Sequence, residues 1–219
     1  MNADPVTSSE SYYGHSRPEI VKYIPDTVHR LLDVGCGEGN FGGLLKSMKN
    51  IEVWGIELNK EASAKATLQI DKVLVGKIED LAGLIPESFF DCITFNDILE
   101  HLKYPDEIIR SLSSKLVPGG FIVASIPNVR FIDNLVGLLL HKDWKYTDEG
   151  VLDITHLRFY TRKSIVRLFH DLSFEIEKIE GINPRTGKWW FNLLAFLFPS
   201  YFSDTHHIQF AVRARKLPR

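Results

Sequence analysis

A glycine-rich loop joins an apolar strand to a helix near the start of the chain, and it constrains the fold more than any other feature. Residues 31–34 form a short apolar run that predicts a buried strand, and residues 41–48 predict the helix after it. The loop over residues 33–42 carries glycines at positions 35, 37, 39 and 42. Glycine permits positive φ and lets backbone N–H groups approach a ligand at a helix N-terminus. The loop therefore predicts a ligand site at the end of the first strand.

Strands and helices alternate from about residue 30 to residue 126, and further elements follow near the C-terminus. Strands are predicted at residues 31–34, 53–58, 72–76, 92–96, 121–126, 174–180 and 208–213. Helices are predicted at residues 41–48, 60–68, 105–116 and 163–172. Strands that are separated by helices form right-handed βαβ units and a mainly parallel sheet. We therefore predict a Rossmann-like α/β fold: a seven-stranded, mostly parallel sheet with an antiparallel last strand and helices on both faces.

The length of 219 residues suits one domain, which we divide into four parts. These are an N-terminal helical lid (1–30), a ligand-binding core (31–126), a substrate-side insertion (127–162) and a C-terminal part (163–219). The C-terminal part includes an apolar helical insertion at residues 188–198, which is too short to cross a bilayer. A helix docked on the core, a dimer or partner surface and a weak membrane contact all remain open for that insertion.

Composition and charge exclude several classes of protein. The 26 Lys and Arg residues against 28 Asp and Glu residues give a net charge of −2, so a nucleic-acid partner is not expected. Two cysteines, Cys36 and Cys92, cannot build a disulfide framework, which favours a reducing compartment. The N-terminal residues show no basic and apolar targeting pattern, and no apolar run reaches the length of a membrane span. The sequence therefore predicts a cytoplasmic protein with a small-molecule ligand.

Two acidic residues beside the glycine loop indicate what kind of ligand it holds. Asp33 precedes the loop, and a carboxylate there suits a cationic or hydroxyl-bearing ligand better than a pyrophosphate. Glu57 ends the second strand twenty residues after Gly37, which is the position that binds both hydroxyls of a ribose. Residues 37–42 also match G-x-G-x-x-G, so an NAD-dependent oxidoreductase stays open. The spacing supports a nucleoside ligand without choosing among nucleosides.

Four motifs that follow one another along the chain carry a family resemblance, and this resemblance indicates which nucleoside the site binds. They are Leu-Asp-Val-Gly-Cys-Gly-Glu-Gly at residues 32–39, Gly-Ile-Glu at 55–57, Phe-Asp-Cys-Ile at 90–93 and Leu-Val-Pro-Gly-Gly at 116–120. Together they resemble the class I S-adenosylmethionine-dependent methyltransferases over about residues 12–181. The resemblance implies S-adenosylmethionine as cofactor and S-adenosylhomocysteine as product. The residues that it assigns to the cofactor are Tyr13, Arg17, Asp33, Gly35, Cys36, Gly37, Glu57, Leu58, Ile78, Glu79, Asn96 and Asp97.

Individual roles follow from the same resemblance. Tyr13 and Arg17 would close over the methionine carboxylate, and Asn96 would lie beneath the cofactor. Glu57 would hold the ribose diol. Leu58 would pack on adenine, and Glu79 would take the adenine amino group. The alternative for Tyr13 and Arg17 is an ordinary surface helix.

An acid–histidine stretch follows the fourth predicted strand. If residues 97–101 turn helical at once, Asp97, Glu100 and His101 share one helix face. A later group, Asp-Ile-Thr-His-Leu-Arg at residues 153–158, contributes His156. Ubiquinone-pathway O-methyltransferases and small-RNA terminal 2′-O-methyltransferases show a similar pattern, associated there with a divalent cation. The resemblance therefore implies a cation held by Asp97, Glu100, His101 and His156, whereas a structural ion pair is the plain alternative.

Methyl transfer to oxygen requires a deprotonated hydroxyl in line with the sulfonium. We expect His156 to be the base and His101 to be the second candidate, because imidazole titrates near neutrality. The stretches at 126–129, 144–150 and 155–161 resemble a bacterial subgroup associated with glycan and natural-product pathways. We therefore predict O-methylation of a small-molecule or glycan hydroxyl. A quinone-like or other aromatic O-methyltransferase and a non-catalytic S-adenosylmethionine-binding regulatory protein are the alternatives.

Overall fold

The structure, a computed structural model, describes residues 14–185 and 195–218. Its sheet has seven strands in the order β3-β2-β1-β4-β5-β7-β6. Their bounds are β1 Arg30–Val34, β2 Glu52–Glu57, β3 Lys72–Val75, β4 Phe90–Asn96, β5 Leu116–Pro127, β6 Phe174–Pro184 and β7 His207–Lys216. Strands β1 to β5 pair in parallel, and β7 is antiparallel to both β5 and β6. The predicted sheet, with its antiparallel last strand, is confirmed.

The strand order reverses beside β1, because β2 lies on one side of it and β4 on the other. The crevice beyond the carboxyl ends of two such strands is where open α/β sheets bind their ligands. Here that crevice receives the loop after β1, the end of β2 and the turn after β4. The fold therefore brings the glycine loop, Glu57 and the acid–histidine stretch to one edge of the sheet.

Helices surround the sheet in the described part of the chain. Their bounds are α1 Pro18–Val21, α2 Asn40–Met48, α3 Lys60–Ala66, α4 Ile78–Leu81, α5 Pro105–Ser113, α6 Ile132–Leu140, α7 Arg162–Asp171 and α8 Pro199–Phe202. Local sequence explains several of their starts. Asn59 caps α3 by accepting the N–H groups of Glu61 and Ala62, and Thr161 forms a capping box with Ser164 at α7.

The core lies on both faces of the sheet, because alternate strand residues point to opposite sides. In β1, Leu32 packs into one apolar cluster and Leu31 into the other. Helices α5 and α7 contribute Ile109 and Phe169 to the first cluster, whereas α2 contributes Leu45 to the second. Helices therefore cover both faces, as the sequence predicts.

Several element boundaries differ from the prediction, and the largest difference is at the start of β5. Strand β5 begins at Leu116, not at residue 121, because Leu116 pairs with Phe90 across a register shift between β4 and β5. Helix α5 accordingly ends at Ser113. The predicted apolar helix over residues 188–198 lies mostly outside the described residues. None of the described helices is long and apolar enough to cross a membrane.

Candidate active site

A cavity of about 480 Å³ opens at the carboxyl edge of β1, β2 and β4. Its lining includes every predicted cofactor residue that the structure describes: Arg17, Asp33, Gly35, Cys36, Gly37, Glu57, Leu58, Ile78, Glu79, Asn96 and Asp97. Tyr13 lies outside the described residues. A second cavity of about 730 Å³ lies between α1, α2 and Arg213, and it contains none of the predicted site residues. The site that the sequence predicts is therefore assembled at the first cavity.

The glycine loop is tied down to β2. The N–H groups of Gly35 and Cys36 both donate to the carbonyl oxygen of Ile56, at 2.8 and 3.1 Å. Gly35 has a φ of +72°, and a Cβ placed on it would lie 2.1 Å from Cδ1 of Ile98. Only glycine satisfies both the backbone angle and the close packing at this position. The loop and the turn after β4 therefore fit against each other across the cavity floor.

Glu57 is held in a fixed orientation by backbone N–H groups. Its Oε2 accepts from Gly37 at 2.9 Å, and its Oε1 accepts from Asn59 at 2.8 Å. The residue is buried, yet it lines the cavity. A carboxylate oxygen can accept two hydrogen bonds, so each oxygen keeps one lone pair for a ligand. The geometry therefore suits a pair of adjacent hydroxyl groups.

Asp33 forms a second polar point on the cavity wall. Thr94 Oγ1 donates to its Oδ1 at 2.6 Å, and Asn96 Nδ2 donates to the same oxygen at 3.4 Å. Burial raises the pKa of Asp33 to about 7, although these two hydrogen bonds oppose the increase. Oδ1 of Asn96 is buried and has no hydrogen-bond partner among the described residues. An acid and an unpaired acceptor therefore meet here, and both suit a donor group of a ligand.

The stretch after β4 is a turn, so the helix over residues 97–101 that would place Asp97, Glu100 and His101 on one face does not form. Asp97 adopts a left-handed φ of +53°, and only a single turn bond, from His101 N–H to the carbonyl of Ile98, follows it. The carboxylate of Asp97 instead pairs with the guanidinium of Arg17, and it accepts from Gln209 Nε2 at 2.7 Å. Asp97 is therefore not part of the acid–histidine cluster, and its predicted role as a metal ligand does not match its position.

Three of the four predicted ligands do come together. Glu100, His101 and His156 each offer a donor atom, and these atoms lie within 4.8 Å of one another. Nε2 of His156 is 4.0 Å from Oε1 of Glu100. The imidazole rings of His101 and His156 pack edge to face, with 4.7 Å between their centroids. Nδ1 of His156 lies 3.0 Å from the carbonyl oxygen of Val151. Because a carbonyl only accepts, Nδ1 carries a proton, and Nε2 is the ring nitrogen that faces Glu100.

Glu100 lies in an environment that is unfavourable for a charged carboxylate. Both of its carboxylate oxygens are buried without a hydrogen-bond partner in the described part of the chain. Burial raises the pKa of Glu100 well above its ordinary value, and the charge of Asp97 adds to the increase. Burial lowers the pKa of His101, and the neighbouring His156 contributes. One carboxylate and two imidazoles are a donor set that suits a divalent transition-metal ion.

The two histidines differ in access to the cavity. His101 lines it, whereas His156 is 8% exposed and is not among the lining residues. The insertion that carries His156 is fastened to the turn after β4, because the N–H groups of Leu157 and Arg158 both donate to the carbonyl of Glu100. His156 therefore lies behind His101, which does not fit the prediction that His156 meets the acceptor directly.

Sequence reasoning missed several residues at this edge. Lys103 and Leu157 line the cavity, and Ser125 and Gln209 donate hydrogen bonds to Asp97. Gln209 is 112 positions from Asp97 in the chain, so no local sequence motif predicts their contact. Trp144 packs edge to face on Phe159 at 5.3 Å, which fits an anchor for the insertion.

Comparison with known proteins gives the class to which this fold and site belong. The methyltransferase domain family matches residues 10–179. A ubiquinone biosynthesis O-methyltransferase of Chromobacterium violaceum is 34% identical over 109 residues, which are 45% of this chain and 44% of that protein. One of Vibrio atlanticus is 28% identical over 169 residues, which are 72% of this chain and 68% of that protein. An S-adenosylmethionine-dependent methyltransferase of Archaeoglobus fulgidus has the same fold, with a TM-score of 0.66 at 20% identity over 90% of this chain and 91% of that chain.

The family match covers more than half of the chain. The chain therefore belongs to the methyltransferase domain family, and it shares the fold of S-adenosylmethionine-dependent methyltransferases. It spans less than half the length of the Chromobacterium violaceum relative and about two thirds of the Vibrio atlanticus relative.

Proposed function

We propose that this chain is an O-methyltransferase that moves the methyl group of S-adenosylmethionine to a hydroxyl of a small-molecule acceptor. The observation that carries the proposal is the continuity of one cavity. Glu57, Asp33, Asn96 and His101 all line it, and His101 belongs to the cluster with Glu100 and His156. A nucleoside-binding wall and a group able to activate a hydroxyl therefore share one space.

The chain binds the cofactor with groups that are already oriented. Glu57 accepts the two ribose hydroxyls, because both of its oxygens are fixed by backbone N–H groups and still have a free lone pair. Asp33 and the unpaired oxygen of Asn96 accept from the amino group of the methionine part. Leu58 and Ile78 border the adenine end. When bound, the cofactor supplies an electrophilic methyl group on sulfur.

The acceptor is activated at the other end of the cavity. We assign Glu100, His101 and His156 to a divalent cation, because the buried oxygens of Glu100 need a cationic or donor partner. When bound, such an ion supplies a Lewis acid for the acceptor hydroxyl. Without it, His101 is the group placed to take the acceptor proton, since it is the histidine of the cluster that lines the cavity. Asp97 is left out of this set.

A specific observation favours an aromatic acceptor as a second candidate. The relatives from Chromobacterium violaceum and Vibrio atlanticus are both ubiquinone biosynthesis O-methyltransferases. A quinone precursor with a hydroxyl group is therefore the first aromatic acceptor to test beside sugars. The buried, unbridged thiols of Cys36 and Cys92 support a reducing, cytoplasmic setting for either reaction.

A chelation experiment tests the acceptor half of the proposal. Protein dialysed against excess chelator should lose methyl transfer and recover it with Mn²⁺ or Mg²⁺, while its affinity for S-adenosylhomocysteine stays the same. Glu100→Gln should lose both bound metal and turnover, and His141→Ala, at an exposed position after α6, should lose neither. Full turnover in excess chelator would refute the cation and leave His101 as the acid–base group.

A further inference from the structure

The segment Gly14 to Arg17, here called the strap, lies across one side of the cofactor cavity. Its Gly14 carbonyl accepts from Asn40 Nδ2 at 2.9 Å, and Asn40 begins α2 just after the glycine loop. At its other end, the guanidinium of Arg17 pairs with the carboxylate of Asp97, which follows β4. His15 and Arg17 both line the cavity. The strap therefore connects the β1 side of the crevice to the β4 side.

The Arg17–Asp97 ion pair joins two residues with unusual backbone angles. Both residues adopt left-handed backbone angles, φ +47° for Arg17 and φ +53° for Asp97. Residues other than glycine reach this region only at an energetic cost. The ion pair between these two side chains helps to offset that cost, so the position of the Asp97 carboxylate contributes to holding the strap in place.

Gln209, on β7, fixes that carboxylate from the opposite side. Oδ1 of Asp97 accepts from Ser125 Oγ at 2.8 Å and from Gln209 Nε2 at 2.7 Å, which leaves Oδ2 facing Arg17. The amide of Gln209 is itself oriented, because its Oε1 accepts from Asn183 Nδ2 at 2.7 Å. Since the ionised Asp97 carboxylate only accepts, the NH₂ group of Gln209 is the end that faces it. Gln209 is 9% exposed, so water does not easily replace it.

We infer that Gln209 is a positioning residue for cofactor retention, acting through Asp97 on the Arg17 strap. Gln209 does not line the cavity and is not a member of the acid–histidine cluster, and it reaches the cavity lining through Asp97. Its loss allows Asp97 to rotate away, which removes the anchor of Arg17 and lets the strap open. The inference rests on the proposed cofactor site for its effect on binding, but the mobility of the strap is a property of the protein alone.

The experiment measures cofactor release and strap mobility in the same variants. Gln209→Leu keeps the side-chain bulk but removes the hydrogen bond, and it should raise the dissociation rate of S-adenosylhomocysteine about tenfold with little change in the association rate. Gln209→Glu sets a second carboxylate against Asp97 and should raise the rate further. Arg213→Met, on the same strand but paired with Glu177, is the control and should leave the rate unchanged.

A second readout separates positioning from a general loss of stability. In ligand-free protein, nuclear magnetic relaxation of the Arg17 Nε–Hε group should report a rigid side chain in the wild type and a mobile one in Gln209→Leu. Asp97→Asn combined with Gln209→Leu should release the product no faster than Asp97→Asn alone, because both act on one contact. Additive effects, or an Arg17 side chain that stays rigid in Gln209→Leu, would overturn the inference. A wild type that binds no S-adenosylhomocysteine would refute the proposed function instead, and the relaxation data would still decide the role of Gln209.

Discussion

Replacement of Glu57 by Ala is the sharpest test of the nucleoside wall. The carboxylate accepts two backbone N–H groups and retains one lone pair on each oxygen for the ribose. Hydrogen bonds to a charged group contribute about 1.5–3 kcal/mol each, and part of that is offset by water that enters the site. We therefore expect a loss of about 2–4 kcal/mol in binding S-adenosylhomocysteine, or roughly a 30- to 1000-fold weaker Kd.

Calorimetric titration of S-adenosylhomocysteine measures that loss directly. Glu57→Gln should fall between the wild type and Glu57→Ala, since the amide keeps one acceptor but places its NH₂ against the N–H of either Gly37 or Asn59. Glu61→Gln, at an exposed position on α3, is the matched control and should bind as the wild type does. An unchanged Kd for Glu57→Ala would show that the ribose lies elsewhere and would refute the assignment.

Three further predictions follow from the same cavity. Gly35→Ala should lower the free energy of unfolding, measured by urea denaturation, by about 1–3 kcal/mol, because the φ of +72° and the Cβ contact at 2.1 Å to Ile98 are both unfavourable. Gly83 has open space around it, so Gly83→Ala should not lower the free energy of unfolding. The affinity for S-adenosylhomocysteine should fall as the pH drops below 7, because Asp33, with its raised pKa, takes up a proton and loses the charge that faces the amino group of the ligand. Calorimetry at pH 6 and pH 8 should show this change for the wild type and not for Asp33→Asn. His156→Ala should lower turnover by about 10²–10⁴ and reduce bound metal, with S-adenosylhomocysteine affinity unchanged, and near-normal turnover would exclude His156 from acceptor activation.

Much of the fold, and the cavity that Glu57 and the glycine loop line, could be predicted because the signals are local. The run from Leu32 to Gly39 specifies strand, loop and helix within a few residues, and the spacing to Glu57 follows from one βαβ unit. The start of β5 could not be predicted this way, since Leu116 becomes a strand residue only by pairing with Phe90. Strand pairing of this kind depends on tertiary contacts, whereas the local sequence, with Pro118 and Gly119, indicates a break in secondary structure.

The acid–histidine region shows the same limit at the site itself. Residue types at 97, 100, 101 and 156 indicated a cluster, and three of these side chains do converge. The fourth, Asp97, is directed elsewhere by one positive φ and by partners on the strap and on β7. The sign of a single backbone dihedral and a contact over 112 positions leave no periodic signal in a sequence.

Transfer of a labelled methyl group tests the central claim most directly. The purified protein, methyl-labelled S-adenosylmethionine, Mn²⁺ and an acceptor panel of sugars, monohydroxy aromatics and dihydroxy aromatics would be incubated, and the products would be analysed by mass spectrometry. The account predicts label in a base-stable methyl ether, with one S-adenosylhomocysteine formed per methyl, much less product from Glu57→Ala at limiting cofactor and no product from Glu100→Gln. Label found only on nitrogen or carbon, or tight binding of the cofactor with no transfer to any hydroxyl, would contradict it.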